Sequence, residues 1–280
     1  MKYQLISGRK FNKALSRFRL EELQSIEFTD EAAPKGVELT DLSNNRDGSV
    51  VGWMEDNGVF KVSTQSKGQK VIFNEDCKKM FADFLQLKEI DFFMADASIV
   101  KNMSGMFYHS GRLKKIDMSG FKACQVTDMS EMFTRCRCLT HLNLAGLDTS
   151  NVTDMKYMFM DCQSFEKPDL SDLDTSNVTD MSHMFQGCNN LINLDLSHFD
   201  TSNVTDMSDM FCGCNNIEQV DLSSFDTSQV TNLEAMFAWC YDLKKIDISY
   251  FNTSKVKNMD DMFIGCRALK HPDFISYKLN

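Results

Sequence analysis

The sequence predicts a repeat solenoid with parallel strands, short α or 3-10 turns and a small α+β cap at the N-terminus. Three observations carry that expectation. Valine recurs every 26 residues at Val100, Val126, Val152, Val178, Val204, Val230 and Val256. Phenylalanine keeps the same step from Phe81 through Phe107, Phe133, Phe159, Phe185, Phe211 and Phe237 to Phe263, with methionine before each. Cysteine follows three residues later at Cys136, Cys162, Cys188, Cys214, Cys240 and Cys266, where the two earlier units carry Phe84 and Ser110. A period of this length, free of insertions, signals stacked structural units.

The first elements come from residues 1–70, which lie outside the repeat. Phe11, Ala14, Leu15 and Phe18 follow helical spacing, and Gln24 to Phe28 reads as a strand. Val50 to Met54 and Val59 to Val62 flank Asp56-Asn57-Gly58, which predicts a hairpin. Stacked units expose an apolar cross-section at their end, so this segment is expected to cap residues 71–280, with a separate functional module as the alternative. Arg267, Lys270, Pro272 and Lys278 break the pattern and suggest a short C-terminal cap.

Each unit has three parts. Leu191 to Leu196 places leucines at alternating positions near its end, the pattern of a short strand with Asp195 pointing outward. Asp200-Thr201-Ser202-Asn203 is a cluster of residues that bond their own backbone in turns. Met207, Met210 and Phe211 are then spaced by three and four, which predicts one turn of α or 3-10 helix with Asp206 as its N-cap. The Val, Met, Phe, Cys and Leu phases point inward, Phe185 among them, and identical residues of neighbouring units are expected ~4.8 Å apart.

With 280 residues and 42% hydrophobic content, the chain has ample material for a core. Nineteen methionines, 22 phenylalanines and three prolines are the unusual counts, and the inward ladder uses the first two. The formal charge of −10 is uneven. Residues 1–70 hold 11 Lys/Arg against 10 Asp/Glu, whereas residues 126–229 hold 4 against 17. So acidic a stretch disfavours direct nucleic-acid binding, which rests on basic contacts, and attracts a basic protein partner. No apolar run of ~18 residues is present, so no membrane insertion is expected. The start, MKYQLISGRKFNKALSRF, reads as an amphipathic helix rather than a signal peptide, which places the chain as written in the cytoplasm.

Catalytic and metal chemistry find little support. His109, His141, His183, His198 and His271 occupy four phases of the repeat and do not converge. No HExxH, Walker, GxSxG or Rossmann glycine pattern occurs. A non-enzymatic protein without cofactor is therefore expected. The cysteines read as a packing ladder, with redox or metal chemistry the alternative, since no CxxC pair occurs. The aspartates form ladders of their own: Asp169, Asp195, Asp221, Asp247 and Asp273 in one phase, Asp128, Asp154, Asp180 and Asp206 in a second, Asp148, Asp174, Asp200 and Asp226 in a third. Turn and cap bonding to backbone N–H groups explains them, with calcium the alternative, although glycine-rich calcium-loop spacing is missing.

Binding candidates are outward phases at which the copies disagree. They include Tyr157, His183, His198, Trp239, Tyr241 and Tyr250, joined by Asp195 and Asp221 of the outward acidic row. Exposed aromatics are frequent binding hot spots, with neutral drift the competing explanation. Trp239 leads, because Gly187, Gly213 and Gly265 hold its phase elsewhere.

The blocks LDLSHFDTSNVTDMSDMFCGC (194–214) and VDLSSFDTSQVTNLEAMFAWC (220–240), with VVGWMEDNGVFKVST leading into KVIFNEDCKKMF, resemble the BspA-like leucine-rich-repeat surface proteins of bacteria. That resemblance implies a leucine-rich-repeat-like right-handed coil. It also implies non-catalytic binding through adhesion or receptor recognition, at the cell surface or after secretion. The acidic central units and the lack of an export signal suggest an alternative, an intracellular inhibitor that occludes a basic or nucleic-acid-binding partner.

Overall fold

The computed structural model describes residues 1–18 and 23–270. Helix α1 (Gly8–Leu15) runs into a 3-10 turn at Ser16–Phe18. Phe11 and Leu15 sit on its buried face, four residues apart, and Ser16 Oγ closes the end on the Lys13 carbonyl at 2.7 Å. Gly8 is needed at the start: a Cβ there would lie 2.5–2.6 Å from the backbone of Cys77 and Lys78.

Strands β1 (Ser25–Thr29), β2 (Thr40–Asp41), β3 (Val51–Met54) and β4 (Val59–Ser63) follow, then β5 (Val71–Ile72), β6 (Glu89–Asp91), β7 (Ala95–Asp96), β8 (Lys115–Asp117) and β9 (His141–Asn143). The β3–β4 hairpin falls where the sequence placed it, whereas the helix takes up only Gly8–Leu15 of the stretch 1–18 read as helical, because Gln4 and Leu5 bridge Ile72 and Ser43. Asn57 and Gly58 make the turn, with Asn57 Oδ1 accepting the Val59 N–H at 3.1 Å. The hairpin belongs to a five-stranded mixed sheet in the order β2-β3-β4-β1-β6, in which β1 runs parallel to both β4 and β6. Two parallel pairs, β5–β7 and β8–β9, complete the strands.

From Cys77 onward the 26-residue register appears as hydrogen bonds between units. The N–H groups of Met181, His183, Phe185 and Gly187 bond the carbonyls of Asp206, Ser208, Met210 and Cys212 in the next unit at 2.8–3.1 Å. The intervening N–H groups of Met184, Gln186 and Cys188 turn back onto Met181, His183 and Phe185. This alternation requires left-handed backbone at His183 (φ 59°) and Gly187 (φ 71°), and the same two phases recur as Tyr157 with Asp161 and as Ala235 with Trp239. Inside, the phenylalanines stack from Phe107 to Phe263 with centroids 5.4–5.7 Å apart. Phe81 begins the column and takes Phe11 of α1 edge-on at 5.7 Å.

The Asp-Thr-Ser segment braces the units. Buried Thr175 donates to the Asp200 carbonyl at 2.9 Å and accepts the Asp200 N–H at 2.9 Å. Thr201 likewise donates to the Asp226 carbonyl. The cysteine ladder is buried from Cys136 to Cys240, each thiol donating to a phenylalanine carbonyl 29 residues earlier.

These findings correct the expected architecture. The chain has a mixed α/β fold with largely mixed-topology sheets and one short helix, rather than a repeat solenoid of the leucine-rich-repeat type with parallel strands and short α/3-10 turns. Among the described residues no unit contains an α or 3-10 helix: single turns closed by i→i−3 bonds occur, but recurrent positive φ stops helical hydrogen bonding from propagating. Asp206 accordingly caps no helix; its Oδ1 accepts the Ser208 N–H at 2.8 Å in a local turn. No strand follows β9 within the described residues. His271, Pro272, Asp273 and Lys278 lie outside them.

Candidate functional site

The site grows from the row of three-residue strands. β6, β8 and β9 occupy the same phase of successive units, and β8 and β9 pair in full register. The following unit brings Pro168 to the middle of the row, where it supplies no N–H and cannot join a ladder. From there the row carries the single bridge Gln219–Lys245. A groove of about 690 Å³ opens at this place, lined by Lys167, Asn193, Asp195, Gln219, Asp221, Lys245 and Asp247, over the apolar floor of Leu194, Val220 and Ile246.

The aspartates of the groove are oriented by their own turns. Asp195 Oδ1 accepts the N–H and hydroxyl of Ser197 at 3.0 and 2.7 Å. Asp221 and Asp247 accept the N–H groups of Ser223 and Ser249, each at 2.9 Å. The Ser197 and Ser223 N–H bonds hold Asp195 and Asp221 below the usual carboxylate range. In all three carboxylates the backbone N–H bond falls on Oδ1, and none of the three forms an ion pair among the described residues. The result is a row of carboxylates spaced by the unit, running beside the amides of Asn193 and Gln219.

A second groove, of about 530 Å³, lies nearer the N-terminus on the same row, lined by β6, β8 and the residues after them. Phe93 stands in it with 77% of its surface exposed.

The other sequence-predicted residues fall outside the first groove, whereas Asp195 and Asp221 are brought together in it. Tyr157 and His183 share a left-handed phase and stack with centroids 4.3 Å apart. His183 Nδ1 is 3.0 Å from Gln186 Oε1 and 3.7 Å from Asp209 Oδ2. Trp239 is 44% exposed and meets Tyr241 edge-on at 6.3 Å, while Arg267 lies 4.7 Å over the Tyr241 ring. His198 Nε2 is bonded to the Leu170 carbonyl at 2.8 Å. Tyr250, two units on in the same phase, is 64% exposed.

Sequence reasoning missed Lys167, Asn193, Gln219, Lys245 and Phe93. Pro168 was the available signal for the opened ladder. Phe93 signals itself by phase, since the next six units carry Ser119, Ala145, Ser171, Ser197, Ser223 and Ser249 there.

A separate column of aspartates crosses the units on the turn side. Asp128, Asp154, Asp180 and Asp206 bridge one another in parallel, with Asn102 before them and Asn232 after. Burial pushes the Asp154 carboxyl up, and the carboxylates of Asp128 and Asp180 on either side add to the shift. Burial raises the ladder thiols too, Cys136 and Cys188 to about 12. Among the described residues no cluster of three or more His, Cys, Asp or Glu side chains is placed to hold a metal ion. No helix among them is long and apolar enough to cross a membrane.

No curated protein and no solved structure matches the chain. One family matches twice, over residues 75–191 and 161–277, and it carries the units that had suggested a BspA-like leucine-rich-repeat surface protein. That resemblance is therefore corrected: the chain belongs to the family described as "Mycoplasma protein of unknown function, DUF285".

Proposed function

We propose that the protein is a non-catalytic binding module that takes an extended, basic segment of a protein partner along the groove of residues 167–247. The observation that carries this reading is the row of Asp195, Asp221 and Asp247, each oriented by its own turn and none in an ion pair among the described residues. An extended chain advances ~3.3 Å per residue, so alternate side chains repeat at ~6.6 Å, and two successive lysines on flexible stems can meet a row of three aspartates that spans ~9.6 Å at an inter-strand spacing of ~4.8 Å. The amides of Asn193 and Gln219 can bond the segment's backbone, and Leu194, Val220 and Ile246 accept the methylene stems of its lysines. The excess of 17 acidic over 4 basic residues across 126–229 steers such a partner toward the groove. This charge also supports a second reading, in which the bound segment belongs to a nucleic-acid-binding protein whose basic surface is thereby occluded. Adhesion rested on the resemblance now corrected.

The test is a fluorescence titration with a decapeptide of alternating lysine and valine. Asp195→Asn with Asp221→Asn should weaken binding on the order of tenfold. The double variant keeps the turns, because Asn143 accepts the Ala145 N–H at the same phase in the native chain. Raising salt from ~0.1 to ~1 M, which shortens the screening length from about 10 to about 3 Å, should weaken the native protein's binding far more than the variant's. Equal affinity of native protein and variant would refute the proposal.

A further inference from the structure

The second groove on the strand row has a different chemistry, and the structure assigns it to a different ligand. We infer that it docks an extended acidic segment carrying a large apolar side chain, which seats against Phe93. This inference stands independently of the reading of the acidic groove.

Phe93 is the first observation. At its phase the fold uses only the backbone: the Phe93 N–H donates to Asp91 Oδ1 at 2.8 Å, as the serine N–H does in the later units. The ring contributes nothing to that turn, yet it is the most exposed of the large apolar side chains described. Exposing a phenylalanine forgoes burial energy that a serine at this phase would not have offered, so the ring is placed for contact outside the chain.

Charge gives the second observation. Exposed Lys70, Lys88, Lys114, Lys115 and Lys122 surround the N-terminal part of the row. They face four carboxylates there: Glu89, Asp91, Asp117 and Glu27, which lies on β1 beside Asp91. Asp91 and Asp117 each spend an oxygen on a backbone N–H, and Lys115 stands 3.9 Å from Asp117. Lys70 and Lys122, which line the groove itself, form no ion pair among the described residues. Further along the same row, units 166–247 reverse the balance, with Lys167, Lys244 and Lys245 against six carboxylates. The row is therefore polarised, and its basic end is the one that holds the exposed ring.

The third observation is the gap in the strand row. β6 closes one edge of the five-stranded sheet, whereas β8 begins a separate pair, so no ladder joins them. The groove lies across that break, where β6 and β8 stand too close together to admit a strand between them, so a ligand meets this face through its side chains.

The experiment uses three labelled decapeptides with the full chain: alternating leucine and glutamate, leucine and lysine, and serine and glutamate. The leucine–glutamate probe should bind, and the other two should bind at least roughly tenfold more weakly. Phe93→Ser, which installs the residue native to this phase in other units, should weaken the leucine–glutamate probe on the order of tenfold, and Lys70→Glu with Lys122→Glu should abolish its binding. Asp195→Asn with Asp221→Asn should leave this probe unaffected, so failure here and failure of the acidic groove are read separately. Absence of binding, equal binding of the leucine–lysine probe, or indifference to Phe93→Ser would overturn the inference. So would self-association of the free protein that disappears in Phe93→Ser, which would give the face to a second copy of the chain.

Discussion

Individual residues divide into those whose phase is set by packing and those whose phase is set by backbone conformation. Phe185 belongs to the first class: fully buried and stacked on both neighbours, it should cost about 3–5 kcal/mol on substitution by alanine, measured by denaturant unfolding. Trp239 belongs to the second. Its φ of 62° is the left-handed value that Gly187, Gly213 and Gly265 adopt at the same phase. Relief of that conformation, worth about 1–2 kcal/mol, offsets the contacts and chain entropy lost in Trp239→Gly, whose stability should stay within about 1 kcal/mol of the parent. A larger loss would show that the indole packs as part of the core. The inward residues were legible in the sequence because one side-chain type recurs at each phase. Left-handed phases were legible in part: Gly187, Gly213 and Gly265 mark that of Trp239, whereas Tyr157 and His183 share a phase that carries glycine only at Gly105.

At the scale of an element, hydrogen bonding between units decides the structure. The spacing of Met207, Met210 and Phe211 read as a helical turn, but it arises from alternating N–H groups that bond the next unit and close local turns. A pattern of threes and fours cannot distinguish these ladders, whereas turn bonding by the aspartates could be read from Asp-x-Ser in every unit. Thr175→Val tests the bracing segment: it leaves the Asp200 N–H without its acceptor and should cost about 1–3 kcal/mol. The aspartate column makes a prediction of opposite sign. Asp154 has a folded-state pKa raised by burial, so its favourable contribution is present below the unfolded value and is lost as pH rises through the folded one. Asp154→Asn, which copies Asn102 and Asn232, should therefore stabilise the protein at neutral pH by about 0.5–1 kcal/mol. The advantage should shrink toward zero as pH falls below the ordinary aspartate range. A pH series of unfolding curves would show it, and a pH-independent difference would contradict the assignment.

For the whole molecule, one continuous core joins the N-terminal sheet to the stacked units through β1–β6 pairing and the Phe11–Phe81 contact. Buried thiols report on its integrity. Cys124 is exposed, while Cys136, Cys162, Cys188, Cys214 and Cys240 are sealed and bonded, with burial holding them protonated. Thiol labelling of the native protein should modify Cys124 first and reach the ladder only as the chain unfolds. The period and the core were legible because they are repeated; the mixed sheet and the grooves were not, because they come from single departures such as Pro168 and Phe93. Function rests on those departures. The most direct test is amide hydrogen exchange on the protein saturated with the lysine–valine decapeptide. Protection should rise at residues 193–195 and 219–221, while the face of Trp239 and Tyr157 stays unchanged. Protection confined to that second face, or none along the groove, would contradict the proposed binding function.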